Sequence, residues 1–378
     1  MPDIDTFMSV DAGDIDTILG IDSGDIDTVM GVTLVTAPQA YEGQTFLVTG
    51  GNTDPYANSG HVEAIQKKTS TSNGDSSAFG DMMTGGIKEH AATGGGGRGI
   101  VSAGGNSPLE FSPDNANIHY VTIASDGNAT DTSDDVAITQ EGNQGAGNGV
   151  KMGISGGFDG DQSGSARWID DMQIYTIAGG SNASDVGDLD YLGGYNVYGG
   201  SSSTRWIMAG GRHPDGPQEG YSKAINYMTW SSEGNATDAG ELTYGRDHGK
   251  CTVSSESRIV FASSSSKQPD NGGFNDIRDH MMEYVNPAST DDAADFGDDV
   301  GDDGDDDTNS ATRSHGGNVQ DGTRGEFWDG EPVSSNADFA TDSIRYITIA
   351  SAGDSTDAGN DTHASGPGRL AHTGLAGN

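Results

Sequence analysis

From about residue 45 to residue 370 the chain alternates two textures: short apolar runs of period two, and polar stretches of Gly, Asn, Asp and Ser. One run with its polar sequel reads "NIHYVTIASDGNATDTSDD" from Asn117. It returns as "DMQIYTIAGGSNASDVGDL" from Asp171, "AINYMTWSSEGNATDAGEL" from Ala224, "MMEYVNPASTDDAADFGDD" from Met281 and "SIRYITIASAGDSTDAGND" from Ser343, with a worn copy, "VEAIQKKTSTSNGDSSAFGD", from Val62. The small residue before the final acidic one marks each copy: Gly80, Ser133, Gly187, Gly240, Gly297 and Gly359, spaced by 53, 54, 53, 57 and 62 residues. Six units of roughly 55 residues follow, and a fixed period of this size is the signature of a repeat architecture.

Each unit has a second apolar phrase that ends on small residues: "TFLVTGG" from Thr45, "RGIVSAGG" from Arg98, "VKMGISGG" from Val150, "RWIMAGG" from Arg205, "RIVFASS" from Arg258 and "RGEFWDG" from Arg324. Period-two alternation with β-branched and aromatic residues predicts strands, and the polar stretches hold the residues that tolerate tight turns. The "D-x-G-D-L" segment predicts a third strand, and a Ser/Gly-rich segment such as "YNVYGGSSST" from Tyr195 a fourth. Four short strands, six times, describe an all-β, six-bladed β-propeller, in which radial closure protects strand edges. The "I-x-Y" strand should be central in each blade. The first and fifth units, which lack the Tyr and the double Gly respectively, should be the least regular. For ring closure, "THASGPG" from Thr362 is the expected partner of "TFLVTGG", with Leu370 onward a short tail; a seven-bladed alternative would use "GRLAHTGLAGN" from Gly368 as a further strand.

The first 40 residues have a different texture. An eleven-residue phrase runs as "PDIDTFMSV", "GDIDTILGI" and "GDIDTVMGV", so residues 1–40 are expected to form an N-terminal repeat array and residues 41–378 the propeller. The spacing of Ile15, Ile18 and Leu19, and of Ile26, Val29 and Met30, fits one face of a single helical turn, with Asp as cap and Gly20 or Gly31 as stop. Such turns cannot bury an apolar face alone. The array therefore reads as an assembly element, with Ile4, Phe7, Met8, Ile15, Ile18, Leu19, Ile26, Val29 and Met30 as its interface.

The propeller phrase resembles the kelch-type repeat. More narrowly, "I-x-Y-x-T-I-A-(S/T)-x-G-N-A-T-D-x-G-(D/E)-L" resembles a repeat of virion structural and tail-fibre-like proteins of tailed viruses, and short "D-I-x-x-x-x-G-V" arrays are similar to segments at the ends of virion appendage proteins. The resemblance implies a virion surface protein, a capsid turret, decoration or tail-fibre component. It would be a homo-oligomer (trimer or pentamer) bound to other virion proteins through the array and facing a host surface glycan or surface-layer protein.

Charge sharpens this picture. The 378 residues carry 58 acidic and 18 basic side chains, a formal net charge of −40, with Asp far outnumbering Glu. Molar salt, with a Debye length of about 3 Å, would relieve the self-repulsion, so a halophilic host is expected. No basic stripe exists to neutralise phosphates, which argues against nucleic acid. No apolar run approaches the roughly 20 residues of a membrane span. The acidic N-terminus shows no secretory signal pattern, which suits assembly in the cytoplasm. The single cysteine, Cys251, excludes an intramolecular disulfide.

Candidate chemistry is sparse. "GISGG" at residues 153–157 matches the G-x-S-x-G elbow, but as one of six equivalent strand ends it lacks the strand-to-helix context that the motif needs. A kelch-like oxidase would need a copper constellation that nothing builds around Cys251, and no enzymatic activity is expected. Asp303, Asp305 and Asp307 have the alternate spacing of a calcium loop and are the candidate ligands for Ca²⁺ or another cation, although the EF-hand glycine and glutamate are missing; a solvated insertion is the simpler reading. Asn128, Asn182, Asn235 and Asn360 stand in N-x-S/T sequons, but inside the repeat's turn. Trp168, Trp206 and Trp230 fit blade packing, and Trp328 is the one whose exposure would bear on a ligand platform. No residue is singled out as receptor-binding, and no cofactor is expected. The rival function is a cell-surface lectin-like or protein-interaction propeller without a viral role.

Overall fold

The computed structural model describes residues 44–51, 62–82, 90–102, 104, 116–139, 142–157, 168–190, 194, 197–212, 220–247, 251–262, 264–269, 274–279, 281–298, 317–330, 341–362 and 373–377, with four residue pairs before residue 34. The chain divides into two units, Met1–Gln39 and Ala40–Asn378.

In the first unit, Thr17–Ile18 pairs antiparallel with Ile21–Asp22, and Thr28–Val29 with Val32–Thr33. The two pairs share one register, Ile18↔Ile21 and Val29↔Val32. The expected helical turns are thus replaced by chain reversals. The physical reason is that Thr17, Ile18, Ile21, Thr28, Val29, Val32 and Thr33 are β-branched residues, which favour strands over helix. Ile18 and Val29 lie in these strands; Ile4, Phe7, Met8, Ile15, Leu19, Ile26 and Met30 lie outside the described residues.

The second unit is a six-bladed β-propeller. Blade 2 shows the plan: Ala91–Gly95, Arg98–Ser102, Asn117–Thr122 and Thr130–Asp135 form an antiparallel meander from centre to rim. Blade 3 repeats it with Gln144–Gly147, Lys151–Ser155, Asp171–Thr176 and Ser184–Asp188. Blade 6 follows with Gly317–Gln320, Arg324–Gly330, Thr341–Thr348 and Thr356–Asn360. The "I-x-Y" strand is third in every blade, hydrogen-bonded on both sides, as the pattern predicts.

Blades 4 and 5 share material. Blade 4 holds Tyr198–Ser201, Arg205–Ala209, Ser222–Thr229 and Thr237–Asp247; blade 5 holds Thr252–Ser254, Ile259–Phe261, Met281–Val285 and Ala294–Asp298. Between its second and third strands, blade 5 sends out a hairpin, Ser264–Pro269 and Phe274–Asp279, that pairs with the rim strand of blade 4. The irregularity expected in the fifth unit takes this form.

Closure differs from expectation. The inner strand of blade 1 is Thr373–Gly377, which pairs with Thr45–Thr49 from Thr373↔Thr49 to Gly377↔Thr45, ahead of Ala64–Thr69 and Ser77–Asp81. The residues after Leu370 are therefore the closing strand of a six-membered ring, neither a tail nor a seventh blade. The reason is chemical. The first unit begins with a second strand and needs an inner one; "TGLAG" has the small-residue composition of the other inner strands, whereas "THASGPG" carries Pro367, which lacks the N–H that a ladder requires.

The core is six layers between neighbouring blades. Second strands are buried on both faces, so Phe46 and Val48 enter the layer with blade 6 while Leu47 enters the layer with blade 2. Likewise Trp206 and Met208 pack toward blade 3, with Trp206 stacked on Trp230 at 5.6 Å, and Ile207 and Ala209 pack toward blade 5. A strand buried on both faces must be apolar throughout, which explains the unbroken "RWIMA" and "TFLV" runs.

Candidate functional site

The polar sequel of the repeat builds the joints between blades. In each blade the register slips between the third and fourth strands, at the marker residue. In five blades the amide of the marker residue is held by the Asp two positions before it, as Gly240 N by Asp238 Oδ1 at 3.0 Å. Gly240 has φ 112°, and a Cβ there would lie 2.9 Å from the Asp291 carbonyl of the next blade, so glycine is required by both backbone and neighbour. Ser133 takes the same place with φ 65°.

The residue after the marker, or in blade 2 the second residue after it, then gives its amide to an Asn or Asp of the next blade's turn. Asp81, Asp135 and Asp188 donate to Asn128, Asn182 and Asn235 at 3.0, 3.0 and 3.3 Å; Glu241, Asp298 and Asn360 donate to Asp292, Asp354 and Asp75 at 3.0, 3.1 and 3.1 Å. The same residue's carbonyl accepts a backbone bond from the following position, as from Ala129 N to Asp81 O at 2.8 Å. This clasp recurs at six joints, including the one that closes the ring. The sequon residues Asn128, Asn182 and Asn235 are its side-chain acceptors, so turn chemistry accounts for these three; Asn360 takes part only through its backbone amide.

A cation lies at every joint as well. Arg98, Arg205, Arg258 and Arg324 stack on Tyr120, Tyr227, Tyr284 and Tyr346 of their own blades, at 4.0, 4.2, 4.6 and 3.7 Å from the ring centres. Three of them reach carbonyls of the next turn: Arg98 to Ala178 at 2.7 Å, Arg205 to Pro287 at 3.0 Å and Arg258 to Ile349 at 3.4 Å. Arg324 reaches Asn73 Oδ1 at 2.9 Å. Where the Tyr is absent the Arg is absent too. In blade 3, Ile174 and Lys151 stand there, and Lys151 bonds the Trp230 carbonyl at 3.1 Å and Glu233 at 2.6 Å. In blade 1, Thr45 and Lys67 stand there, and Lys67 pairs with Asp126 at 2.5 Å. Sequence reasoning missed this pairing, although the joint presence or absence of Arg and Tyr across units carried the signal.

The closing joint holds a buried ion pair. Lys68 of blade 1 meets Glu326 of blade 6 at 2.7 Å with both side chains excluded from water, and Arg324 Nε and Trp328 Nε1 also donate to that carboxylate at 2.8 and 3.0 Å. Burial pushes Glu326 up and Lys68 down, and each shift is opposed by the partner's charge. Trp328 is fully buried and offers no exposed platform.

The propeller axis is pinched. The inner strands are so small-residued and close that the axial cavity measures about 20 Å³, lined by Ala92, Gly145, Gly200, Ser254 and Gln320 among others. A Cβ on Gly200 would lie 2.5 Å from Ile259 Cγ2. Such a space suits about one water, and Asn318 Oδ1 and Gln320 Oε1 turn toward no protein partner there.

The other sequence candidates fall as follows. Ser155 of "GISGG" is fully buried in a second strand that runs between two others. Cys251 is buried in the layer between blades 5 and 6. Asp303, Asp305 and Asp307 lie outside the described residues; among the described residues no group of three or more His, Cys, Asp or Glu could hold a metal. No helix among them is long and apolar enough to cross a membrane.

The meander fixes where variation can sit. Connections between first and second strands and between third and fourth strands leave one end of the blades, and they are short, as Gly96–Gly97 and residues 123–129 show. The connections that vary most leave the other end: residues 103–116, 156–170 and 331–340 after second strands, and 136–143 and 299–316 after fourth strands. One end is spent on joints; the connections of more varied length join the strands at the other. No family model matches the chain, and no curated protein matches it.

Proposed function

We propose that the chain is a non-catalytic attachment protein of a virion surface. Its N-terminal array anchors it to other virion proteins as a trimer or pentamer, and its propeller meets a host surface glycan or surface-layer protein. The observation that carries the attachment reading is the segregation of long, unequal connections to one end of a rigid ring, because binding surfaces are disproportionately loops held by a scaffold. The pinched axis and the joint-filled opposite end favour contact over chemistry in a pocket. Weak contacts of polar loops gain strength when many copies act together. The virion assignment leans on the resemblance of the repeat and of the array.

Mass spectrometry of purified particles tests location, and exchanging residues 299–316 for the shorter 136–143 tests the loop end. The expected result is a protein present on particles whose exchanged form is incorporated at full occupancy but adsorbs to host cells more slowly. Absence from particles, with the protein on a cell envelope instead, would move the assignment to the cellular lectin-like reading. Unchanged adsorption after exchange of each long connection in turn would remove the loop end from attachment.

A further inference from the structure

The joint between blades 1 and 2 is built like the others except for its plug. In four joints an arginine at the start of the second strand lies on a tyrosine of the third and fills the space beneath the next blade's turn. In blade 1 those two positions are Thr45, which pairs with Thr69, and Lys67, which pairs with Leu47, just as Arg98 pairs with Thr122 and Tyr120 with Ile100. Two large side chains are replaced by a small one and a slender one, and a cleft of about 370 Å³ opens where they would lie.

The groups around the cleft define what it can hold. Its lining presents the hydroxyls of Thr45, Thr69, Ser72 and Ser77, the carboxylates of Asp75 and Asp126, the ammonium groups of Lys67 and Lys68, and the exposed methyl of Ala124 beside the buried Ile123. The Ile123 and Ala124 carbonyls match those of Ile177 and Ala178, which Arg98 occupies one joint later, yet Thr45 supplies no cation here. Lys67 is engaged by Asp126, Lys68 by Glu326, and Asp75 already accepts the Asn360 amide through Oδ1, so two lysines and two aspartates leave the lining formally balanced with both cations engaged. With both lysines engaged and the formal charge balanced, the lining suits a neutral, polyhydroxylic ligand rather than an anion. The volume falls in the range of small-ligand pockets.

We propose that this cleft is a binding site for one neutral sugar unit, whose hydroxyls donate to the Asp126 and Asp75 carboxylates and the turn carbonyls while a C–H face rests on Ala124. The site lies at the short-turn end, away from the long connections, so it is independent of the attachment reading.

The test uses the full chain and saturation-transfer NMR with a panel of methyl glycosides, neutral hexosides beside uronates. Transfer to at least one neutral hexoside and none to the uronates is expected. The double substitution T45R/K67Y installs the plug that four joints already use, so it should fold with an equal or higher Tm and lose the transfer. Asp126→Asn, which keeps the shape of the wall, should weaken the same hexoside about tenfold, the loss of one charged hydrogen bond. No transfer from any panel member, preference for a uronate, or transfer that persists in folded T45R/K67Y would overturn the proposal. If that double variant does not fold, an unchanged affinity in Asp126→Asn would do the same.

Discussion

At the scale of single residues, the repeat motif is a set of joints written in side chains. The Asn or Asp of each turn accepts an amide from the blade before it, so Asn128→Ala removes an acceptor from the Asp81 amide and should cost about 1 kcal/mol. Asn128→Asp should cost much less, because Asp292, Asp354 and Asp75 perform the same task in other joints. Chemical denaturation of the two variants checks this; equal losses would mean that the clasp does not depend on the acceptor. A second expectation concerns pH. Burial, and then the charges of Asp185, Asp170 and Asp188, push the Asp171 carboxyl up. A carboxyl raised above its unfolded value favours the fold while protonated, and that contribution is lost as pH rises through the folded value. Asp171→Asn should therefore stabilise the protein by about 0.5 kcal/mol at neutral pH and lose that advantage in acid. Melting curves at pH 3 and pH 7 check it, and a variant less stable than the parent at pH 7 would contradict the sign.

At the scale of elements, much was legible because a strand packed on both faces has to be apolar along its length, and six copies of "TFLV" or "RWIMA" can be aligned by eye. The marker glycines were legible as spacing, but their cause was not: a bulge whose Cβ would strike the next blade is a contact between units, which one unit's sequence cannot display. Closure was misread for the same kind of reason. "TGLAG" has no alternating pattern, and its role is set by the empty inner place at the other end of the chain. In the array, Ile18 and Val29 read as helical because their spacing to neighbouring apolar residues fits one helical face, although β-branched side chains such as theirs also favour the strands in which they lie. The arginine–tyrosine pairing could have been read, since both residues vanish together in the first and third units. Closure also gives a prediction. Removing residues 372–378 deletes the partner of Thr45–Thr49 and bares an edge at the centre of the ring. The truncated chain should lose its cooperative unfolding transition or aggregate, and a synthetic peptide of residues 372–378 in excess should restore part of it. A truncated chain with an unchanged Tm would show that closure does not depend on this strand.

At the scale of the whole molecule, the scarce cations and abundant anions act in opposite directions as salt changes. Only 18 basic residues face 58 acidic ones, and several of the basic ones are placed at joints, where Arg98, Arg205, Arg258 and Arg324 lie against rings and carbonyls. Contacts of that kind are short and partly buried, so added salt weakens them little. The exposed pairs Lys67–Asp126 and Lys151–Glu233 do weaken, but surface ion pairs are worth about 0–1 kcal/mol each. Repulsion among the acidic groups is spread over the entire surface and relaxes as the Debye length falls from about 10 Å at 0.1 M to about 3 Å at 1 M. The distributed term should win over a few such pairs. The Tm of the full chain should therefore climb steadily between 0.1 and 2 M NaCl, and climb similarly in KCl, because screening does not distinguish the two salts. A Tm that stays flat or falls across that range would show that the acidic surface is not a strain on this fold, and would remove the physical reason for expecting a halophilic setting.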